Sequence, residues 1–232
     1  MRLLWFVPFV VASTLHLGAL FASAAGVAGA GEVASASKPA LMLTLLGAFL
    51  ATTPQPRGRI AVWASAGIVL SLAGDVLFAQ PGDVGFILGL SAFLLAHVAY
   101  TILFLGPLKT RGMPRLAALY GLWWFGLLAL LLPHLGALAV PVVVYGGVLG
   151  LSAASALGTN RMVAVGAALF LVSDSVLACK LFLPGFSFWQ QDFVIMVLYC
   201  AGQGLIALGA VRFQRHRAMR SRMSAPDGRT EP

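Results

Sequence analysis

Two aspartates occupy similar apolar contexts, 99 residues apart in the chain. Asp75 lies within Leu72–Ala79, and Asp174 lies within Leu171–Ala178, between two serines. Both segments belong to apolar stretches long enough to cross a bilayer, where an ionisable side chain is costly and therefore a candidate functional residue. Because buried pairs of carboxylates carry out acid–base chemistry in many enzymes, we interpret Asp75 and Asp174 as a catalytic pair.

The depth of the two aspartates can be estimated from their distance along the helix. At about 1.5 Å per residue, Asp75 and Asp174 lie about 24 Å and about 20 Å from the arginines at the start of their helices, in the outer half of the membrane. Tyr199 and Gln203 are one turn apart on the last helix, near the level of Asp174. We predict that the carboxylates approach within about 10 Å across one polar cavity, with Tyr199 and Gln203 on its wall.

Four further residues complete the candidate substrate-binding set with Tyr199 and Gln203. His97 and Tyr100 share one face of the fourth predicted helix, with His97 deeper than the aspartates. Lys38 and Lys180 are predicted at the outer rim, where long side chains reach the interface.

Each of these residues also has a purely structural interpretation. A lone polar side chain such as Gln203 or His97 often only bonds a neighbouring helix, and Lys38 can serve as an interfacial anchor. Asp75 and Asp174 can equally form a buried polar network that stabilises the bundle without catalysis. The residue pattern leaves these alternatives open.

The composition defines the class of protein that holds this pair. Of the 232 residues, 60% are hydrophobic and only 9% are charged, which excludes an ordinary soluble domain. Long apolar runs must be helical, because backbone groups in lipid have to be bonded internally. We predict an all-α membrane protein, a bundle of eight transmembrane helices: Leu3–Ser23, Lys38–Thr53, Ile60–Ala79, Val84–Leu105, Leu116–Leu132, Ala139–Leu157, Met162–Leu183 and Phe193–Phe213.

One domain of residues 1–213 and a short tail follow from this pattern. The loop before the second helix carries Glu32, and Pro39 is predicted in the first turn of that helix. Residues 214–232 form a basic cytoplasmic tail that we expect to be disordered. A cleaved signal peptide is the alternative to a retained first helix, and it would leave the remaining topology unchanged.

The basic residues are concentrated on one side of the predicted spans. Thirteen of the 15 Lys and Arg residues lie on that side, and only Lys38 and Lys180 lie on the other. The positive-inside rule places both termini in the cytoplasm and the bundle in the cell membrane, in agreement with an even number of spans. The net charge of +8 therefore has a topological origin and requires no nucleic-acid partner. The arginines of the tail are expected to contact anionic membrane lipids, and a solvated tail that acts only as a topology signal is the alternative.

The positions of the aspartates also suggest an internal repeat. Asp75 is in the third predicted helix and Asp174 in the seventh, so the two helices point in the same direction. Two parallel four-helix halves would have this property. Pro39 and Pro141, each early in its helix, fit the same repeat. The sequence carries no signal for an oligomeric state.

Several other chemistries have no signature in the sequence. We find no Walker loop, dinucleotide-binding fingerprint, HExxH motif or GxSxG elbow. Cys179 and Cys200 show neither a disulfide nor a metal-binding spacing, and the four histidines are scattered, so we expect no metal. Carboxylate chemistry on a lipid-like substrate, or passage of a polar solute through the bundle, remains.

The most distinctive motif of the chain is Gly166–Phe182, GAALFLVSDSVLACKLF. The other motifs are, in order, Lys38–Pro39, Gly74–Asp75, the fourth-helix pattern Phe86, Gly89, Leu90, Phe93, His97 and Tyr100, and Tyr199-x-x-x-Gln203. Taken together and in this order, these motifs resemble the YhhN family of membrane proteins, the lysoplasmalogenases. The resemblance covers about Ser37 to Ala210. It departs at Gly202, where the family often has alanine, a change expected to matter little.

The resemblance implies an eight-helix hydrolase that cleaves the vinyl ether bond of a lysoplasmalogen, a lysophospholipid ether, to a fatty aldehyde and a glycerophospho-alcohol. Asp75 and Asp174 would divide the acid and base roles, one of them remaining protonated near neutral pH, a state that burial favours. No metal or organic cofactor is implied. The alternative is a proton-coupled carrier or a lipid-binding membrane protein that uses the same aspartates. In the hydrolase, the residues that position water, glycerol or phosphate would be Tyr199, Gln203, His97, Tyr100, Lys38 and Lys180.

Overall fold

The computed structural model describes residues 2–223, and side chains are described for residues 4–220. This part of the chain is all-α and contains no strand, which confirms the predicted class. Short 3-10 turns precede α1, α5 and α6. The eight α-helices are α1 (Val7–Ala24), α2 (Ala30–Thr52), α3 (Arg59–Phe78), α4 (Gly82–Leu105), α5 (Ala118–Leu135), α6 (Ala139–Ala156), α7 (Arg161–Phe182) and α8 (Gln191–Met223).

Seven helical stretches of the described chain are long and apolar enough to cross a membrane. Six correspond to single helices, whereas the stretch Arg115–Ala156 has 42 residues and contains both α5 and α6. The Trp124 indole N–H donates to the carbonyl oxygen of Val143 at 3.3 Å, so α5 and α6 fold back against each other. α5 is the peripheral helix of the two, because only its Leu131 and Leu135 are buried, whereas α6 buries seven residues.

Two helix pairs pack at short range because glycines face the backbone of the partner helix. In the α3–α4 pair, a Cβ atom on Gly89 would lie 2.8 Å from the amide nitrogen of Phe78. In the α7–α8 pair, a Cβ atom on Gly202 would lie 2.8 Å from the carbonyl oxygen of Gly166. Small residues of this kind allow helices in a membrane to approach closely. Alanine at position 202 is therefore a larger change in this bundle than the sequence indicated.

The two helices that carry the aspartates begin at the same end of the bundle. The loop after α4 contacts the loop before α7, since the N–H groups of Thr110 and Arg111 donate to the carbonyl of Gly158 at 2.9 and 3.1 Å. Because α3 and α4 are joined by a three-residue turn at the other end, α3 also starts here. The parallel direction of α3 and α7 agrees with the even spacing of their aspartates. We call this end, which carries Arg59 and Arg161, the basic end.

The first and last helices close the bundle. At the end opposite the basic end, the Gln190 side-chain amide donates to the Phe21 carbonyl at 3.4 Å, and the rings of Phe21 and Trp189 lie 5.7 Å apart. The end of α1 therefore lies beside the start of α8. It follows that α1 begins and α8 ends at the basic end.

Three helix boundaries differ from the predictions. α2 starts at Ala30, so Glu32 lies in its first turn and Pro39 lies inside the helix. Packing against α1 supports this early start, since His16 Nδ1 lies 3.0 Å from Ser37 Oγ. α5 continues past Leu132 to Leu135, with Pro133 inside. α8 continues past Phe213 to Met223, and the rest of the predicted tail, including Arg229, lies outside the described residues.

Candidate active site

A cavity of about 310 Å³ lies between the helices at the end opposite the basic end. Ser23, Gly31 and Asp192, which lie near the helix ends on that side, line its outer part. Asp75 and Asp174 both line its inner part. The two aspartates predicted to act together therefore face a common space.

Asp75 is held in an ion pair within the bundle. Its Oδ1 atom lies 3.1 Å from the Lys38 ammonium of α2, and its Oδ2 atom accepts a hydrogen bond of 2.7 Å from the Tyr199 hydroxyl of α8. The Asp75 side chain is 4% exposed, whereas that of Lys38 is 28% exposed. Three helices meet at this carboxylate, and a positive charge faces its negative one.

Asp174 has a different set of partners. The Tyr145 hydroxyl of α6 donates to its Oδ2 atom, and the His97 Nε2 atom of α4 lies 3.8 Å from the same oxygen. The Asp174 side chain is 12% exposed. No lysine or arginine of the described chain forms an ion pair with Asp174. The neighbours of Asp174 are thus a phenol and an imidazole, whereas Asp75 faces an ammonium group.

Tyr100 and Gln203 lie behind the cavity and do not line it. The Tyr100 hydroxyl donates to Gln203 Oε1 at 2.6 Å, and Gln203 Nε2 donates to Ser71 Oγ at 2.9 Å. Gln203 was expected on the cavity wall, but its side chain has no exposure. The geometry places this chain of hydrogen bonds one helical turn below Asp75 and Tyr199, on α3 and α8.

His97 also lies outside the cavity lining, although it is close to Asp174. It is 3% exposed, and its ring packs edge-on against Phe170 at a centroid distance of 4.6 Å. Neither ring nitrogen has a hydrogen-bond partner in the described chain. His97 is therefore a buried imidazole that lies behind the Asp174 carboxylate.

Lys180 lies at the rim, as its position in the sequence suggested. Its ammonium forms an exposed ion pair with Asp192, and it is Asp192 that lines the cavity. A carboxylate therefore already balances the charge of Lys180. Lys38 is the lysine that reaches the interior.

Sequence reasoning missed two residues of this cavity. Tyr145 belongs to α6, a helix without a family motif. The only sequence feature that could have indicated it is its position four residues after Pro141, in the second half of the predicted repeat. His16 lines the cavity from α1 and is 2% exposed. Ser37 Oγ donates its proton to the Ala34 carbonyl, so it accepts from His16 Nδ1. In the neutral ring, His16 Nε2 is then a proton acceptor, and it has no partner in the described chain.

The remaining walls of the cavity are apolar and aromatic. Phe86 lies between Phe78 and Phe182, with ring centroids 5.2 Å and 6.0 Å away. Leu177 and Leu181 continue this surface along α7. An apolar wall that faces a group of carboxylates, phenols and a lysine suits a molecule with a long hydrocarbon chain and a polar end.

The residues present are suited to proton transfer. Besides Asp192 at its rim, the cavity offers two carboxylates, two phenols, an ammonium and an imidazole. Among the described residues, no group of three or more His, Cys, Asp or Glu side chains has the arrangement needed to hold a metal ion. General acid–base catalysis by two unlike carboxylates is the chemistry that this set of side chains can support.

Several known proteins are similar in sequence to this chain. The YhhN family matches residues 33–210. A protein of Mycobacterium tuberculosis named lysoplasmalogenase is 37% identical over 157 residues, which cover 63% of this chain and 59% of that protein. The human lysoplasmalogenase TMEM86B is 33% identical over 159 residues, covering 68% and 67%. The mouse lysoplasmalogenase TMEM86B is 30% identical over 210 residues, covering 90% and 87%.

The match spans less than two thirds of the length of the mycobacterial relatives. No solved structure matches the chain significantly. The family match covers most of the chain and includes α3, α4, α6 and α7 completely. It also includes both aspartates and every partner described for them. The chain therefore belongs to the YhhN family, and it is an integral membrane protein with several membrane-spanning helices.

Proposed function

We propose that this protein is a membrane hydrolase that cleaves the vinyl ether bond of lysoplasmalogens. The observation that carries the proposal is that two carboxylates with unlike partners face one amphipathic cavity. The names of the relatives from Mycobacterium tuberculosis, human and mouse support the same substrate class.

The substrate enters with its polar end towards the carboxylates and its hydrocarbon chain along the aromatic wall. A lysoplasmalogen carries one hydrocarbon chain through a vinyl ether, next to a free glycerol hydroxyl and a phosphate. The apolar surface of Phe78, Phe86 and Phe182 receives the chain. Burial of such a chain is favourable by about 0.8 kcal/mol for each CH₂ group removed from water.

The first chemical step is protonation of the vinyl ether at its β-carbon, which gives an oxocarbenium ion. Asp174 donates this proton, because its partners Tyr145 and His97 do not compensate a negative charge as an ammonium does. Tyr145 bonds the Oδ2 atom, which leaves Oδ1 for the transferred proton. A positioned carboxylic acid of this kind contributes about 10²–10⁴-fold to a rate.

The second step is addition of water to the oxocarbenium carbon. Asp75, which its ion pair with Lys38 keeps as a carboxylate, stabilises the cation and accepts a proton from the attacking water. The hemiacetal that results breaks at its ether bond: Asp75 gives the proton that it holds to the leaving glycerol oxygen, and Asp174 takes the proton of the hemiacetal hydroxyl, so both aspartates return to their starting states. The products are a fatty aldehyde and a glycerophospho-alcohol, and one water molecule is consumed.

The other residues position these groups. Tyr199 fixes the orientation of Asp75, and the layer of Tyr100, Gln203 and Ser71 supports the helices beneath it. Lys38 is also the candidate contact for the phosphate or the glycerol hydroxyl, because 28% of its side chain remains exposed. Lys180 provides a weaker phosphate contact, because Asp192 already balances its charge.

The orientation of the bundle is part of the proposal. α5 and α6 cross the cell membrane separately, so the chain crosses it eight times. Both termini then lie on the cytoplasmic side, and the cavity opens on the outer side. Reporter domains inserted in the α1–α2 loop and fused to the C-terminus should report opposite sides. Reports from the same side would contradict this topology.

The deciding experiment for the activity is incubation of the purified protein with a lysoplasmalogen and, in parallel, with a lysolipid that carries an ester at the same position. Aldehyde release from the vinyl ether alone is the expected result. Release of fatty acid from the ester, or no turnover of either lipid, would contradict the proposal. Uptake of a solute driven by a pH gradient, without aldehyde release, would identify a carrier.

A further inference from the structure

A second pocket lies at the basic end, remote from the carboxylates. It has a volume of about 490 Å³ and lies between the start of α3, the last turns of α8 and the loop after α4. Along α3, Arg59 at this pocket and Asp75 at the first cavity are separated by about 24 Å. The two sites are therefore at opposite ends of the same helix.

The start of α3 presents hydrogen-bond donors to this pocket. Gly58, Arg59 and Ile60 line it. The first residue before the helix, Gly58, provides no side-chain cap, whereas Asn160 caps α7 by accepting from the N–H groups of Met162 and Val163. The N–H groups of the first turn of α3 thus lack a side-chain cap, and the helix dipole makes this position favourable for an anion.

Two guanidinium groups join these donors. Arg59 and Arg217 line the pocket, and neither forms an ion pair with a residue of the described chain. None of the residues that line the pocket is acidic. Guanidinium groups bind phosphate oxygens through pairs of parallel hydrogen bonds.

Gln214 is an independent indication of a ligand. It lines the pocket and is only 6% exposed, yet its Nε2 atom has no hydrogen-bond partner in the described chain. Leaving a buried donor unpaired is costly, so such groups usually have a partner. If the amide of Gln214 turns towards the pocket, an acceptor bound there provides the missing bond.

We infer that this pocket binds a phosphate group, carried either by an anionic phospholipid at the membrane surface or by a soluble phosphate. The two guanidinium groups and the backbone N–H groups are donors only, which suits a ligand that offers only acceptors. The inference rests on residues at the opposite end of the bundle from the proposed hydrolase site, so it stands independently of that function.

The test uses the full chain, purified in detergent micelles, with phosphatidylglycerol, phosphatidylcholine and inorganic phosphate as probes. Lipid binding is measured by native mass spectrometry, and phosphate binding is measured by the shift in melting temperature. The double variant Arg59→Gln/Arg217→Gln removes both guanidinium groups. Arg57→Gln/Arg161→Gln is the matched control, since it removes the same charge from exposed arginines of the basic end that do not line the pocket.

For an anionic lipid, we expect wild-type protein to bind phosphatidylglycerol in preference to phosphatidylcholine. The double pocket variant should bind it about tenfold to a hundredfold more weakly, because hydrogen bonds between charged groups are lost. The control should stay within about twofold of wild type. Gln214→Leu, which leaves the charge unchanged, should weaken binding several-fold and so separates a shaped site from general attraction.

The same variants distinguish the source of the phosphate. If inorganic phosphate raises the melting temperature of wild type but not of the pocket variant, and neither lipid is preferred, the ligand is a soluble phosphate and the site is supported. Equal losses in the pocket and control variants would overturn the inference, because diffuse charge would then explain the binding. Absence of binding by all three probes would also overturn it.

Discussion

The environments of Asp75 and Asp174 differ more than their sequence contexts suggest. Both aspartates lie on parallel helices that pack closely against the next helix, and both accept a hydrogen bond from a tyrosine. Asp75 also faces the ammonium of Lys38 at 3.1 Å, whereas Asp174 faces the imidazole of His97 at 3.8 Å. Two similar sequence segments thus supply two similar acids, and the surrounding helices make them unlike.

The partners follow a crossed arrangement. The helix that follows each aspartate contributes to the other aspartate, since Tyr199 of α8 bonds Asp75 and His97 of α4 lies beside Asp174. The helix that precedes each aspartate's own helix contributes to that aspartate, through Lys38 of α2 and Tyr145 of α6. Unlike surroundings are what divide acid and base roles between two carboxylates, so these four positions carry the difference.

The largest effect is expected from removal of either carboxylate. Asp75→Asn and Asp174→Asn should each reduce aldehyde release by about 10²–10⁴-fold, because asparagine neither donates an acidic proton nor accepts one. The double variant should be little slower than either single variant, since the two groups act as a unit. Turnover assays on folded protein measure both effects.

Asp83→Asn is the control for these changes. Asp83 is exposed in the first turn of α4 and does not line the cavity, so the rate of this variant should remain that of wild type. A well-folded double Asn variant that still hydrolyses the substrate at full rate would exclude both aspartates from catalysis.

Removal of Lys38 should affect the free energy of unfolding through Asp75 and not through Asp174. Lys38→Met leaves the Asp75 carboxylate buried without its cation, which should lower the free energy of unfolding by about 1–3 kcal/mol. Adding Asp75→Asn to this variant should restore most of the loss, whereas Asp174→Asn should not. Thermal unfolding in detergent measures the difference, and Lys180→Met, at an exposed pair, should cost less than about 1 kcal/mol.

The glycine contact between α7 and α8 should be the next most sensitive feature. Gly202→Ala would place a Cβ atom 2.8 Å from the Gly166 carbonyl and should destabilise the fold by about 1–3 kcal/mol, as overpacking does. It would also move Asp174 on α7 relative to Tyr199 on α8. Gly47→Ala is the control, because no atom lies within 4 Å of its added Cβ. Equal melting temperatures for the two variants would show that the helices separate at little cost.

The smallest effects are expected from the two tyrosines. Tyr145→Phe and Tyr199→Phe each remove one hydrogen bond, worth about 1 kcal/mol. We expect Tyr145→Phe to slow aldehyde release more, because the Asp174 carboxyl group accepts no other hydrogen bond in the described chain, whereas Asp75 keeps Lys38. Tyr120→Phe on α5, outside the cavity, serves as the control. A larger loss at Tyr199 would reverse the assignment of acid and base.

The class of the fold and most residues of the candidate site were predictable from the amino-acid sequence. Apolar length and composition require helices in lipid, and even spacing gives α3 and α7 the same direction, so both aspartates could be placed at a similar depth. Lys38 and Tyr199 were also singled out, because a polar group at a given helical level can be located by the rise along the axis.

Which of these side chains line the cavity and contact one another depends on the packing of the helices. Gln203 lies behind the cavity and not on its wall, and Tyr145 and His16 line it although neither was among the predicted site residues. The early start of α2 likewise depends on its packing against α1. The rotation of each helix about its axis and its closest neighbours are set by packing between helices distant in sequence. Periodicity within one helix carries no information about the residue that faces it on another.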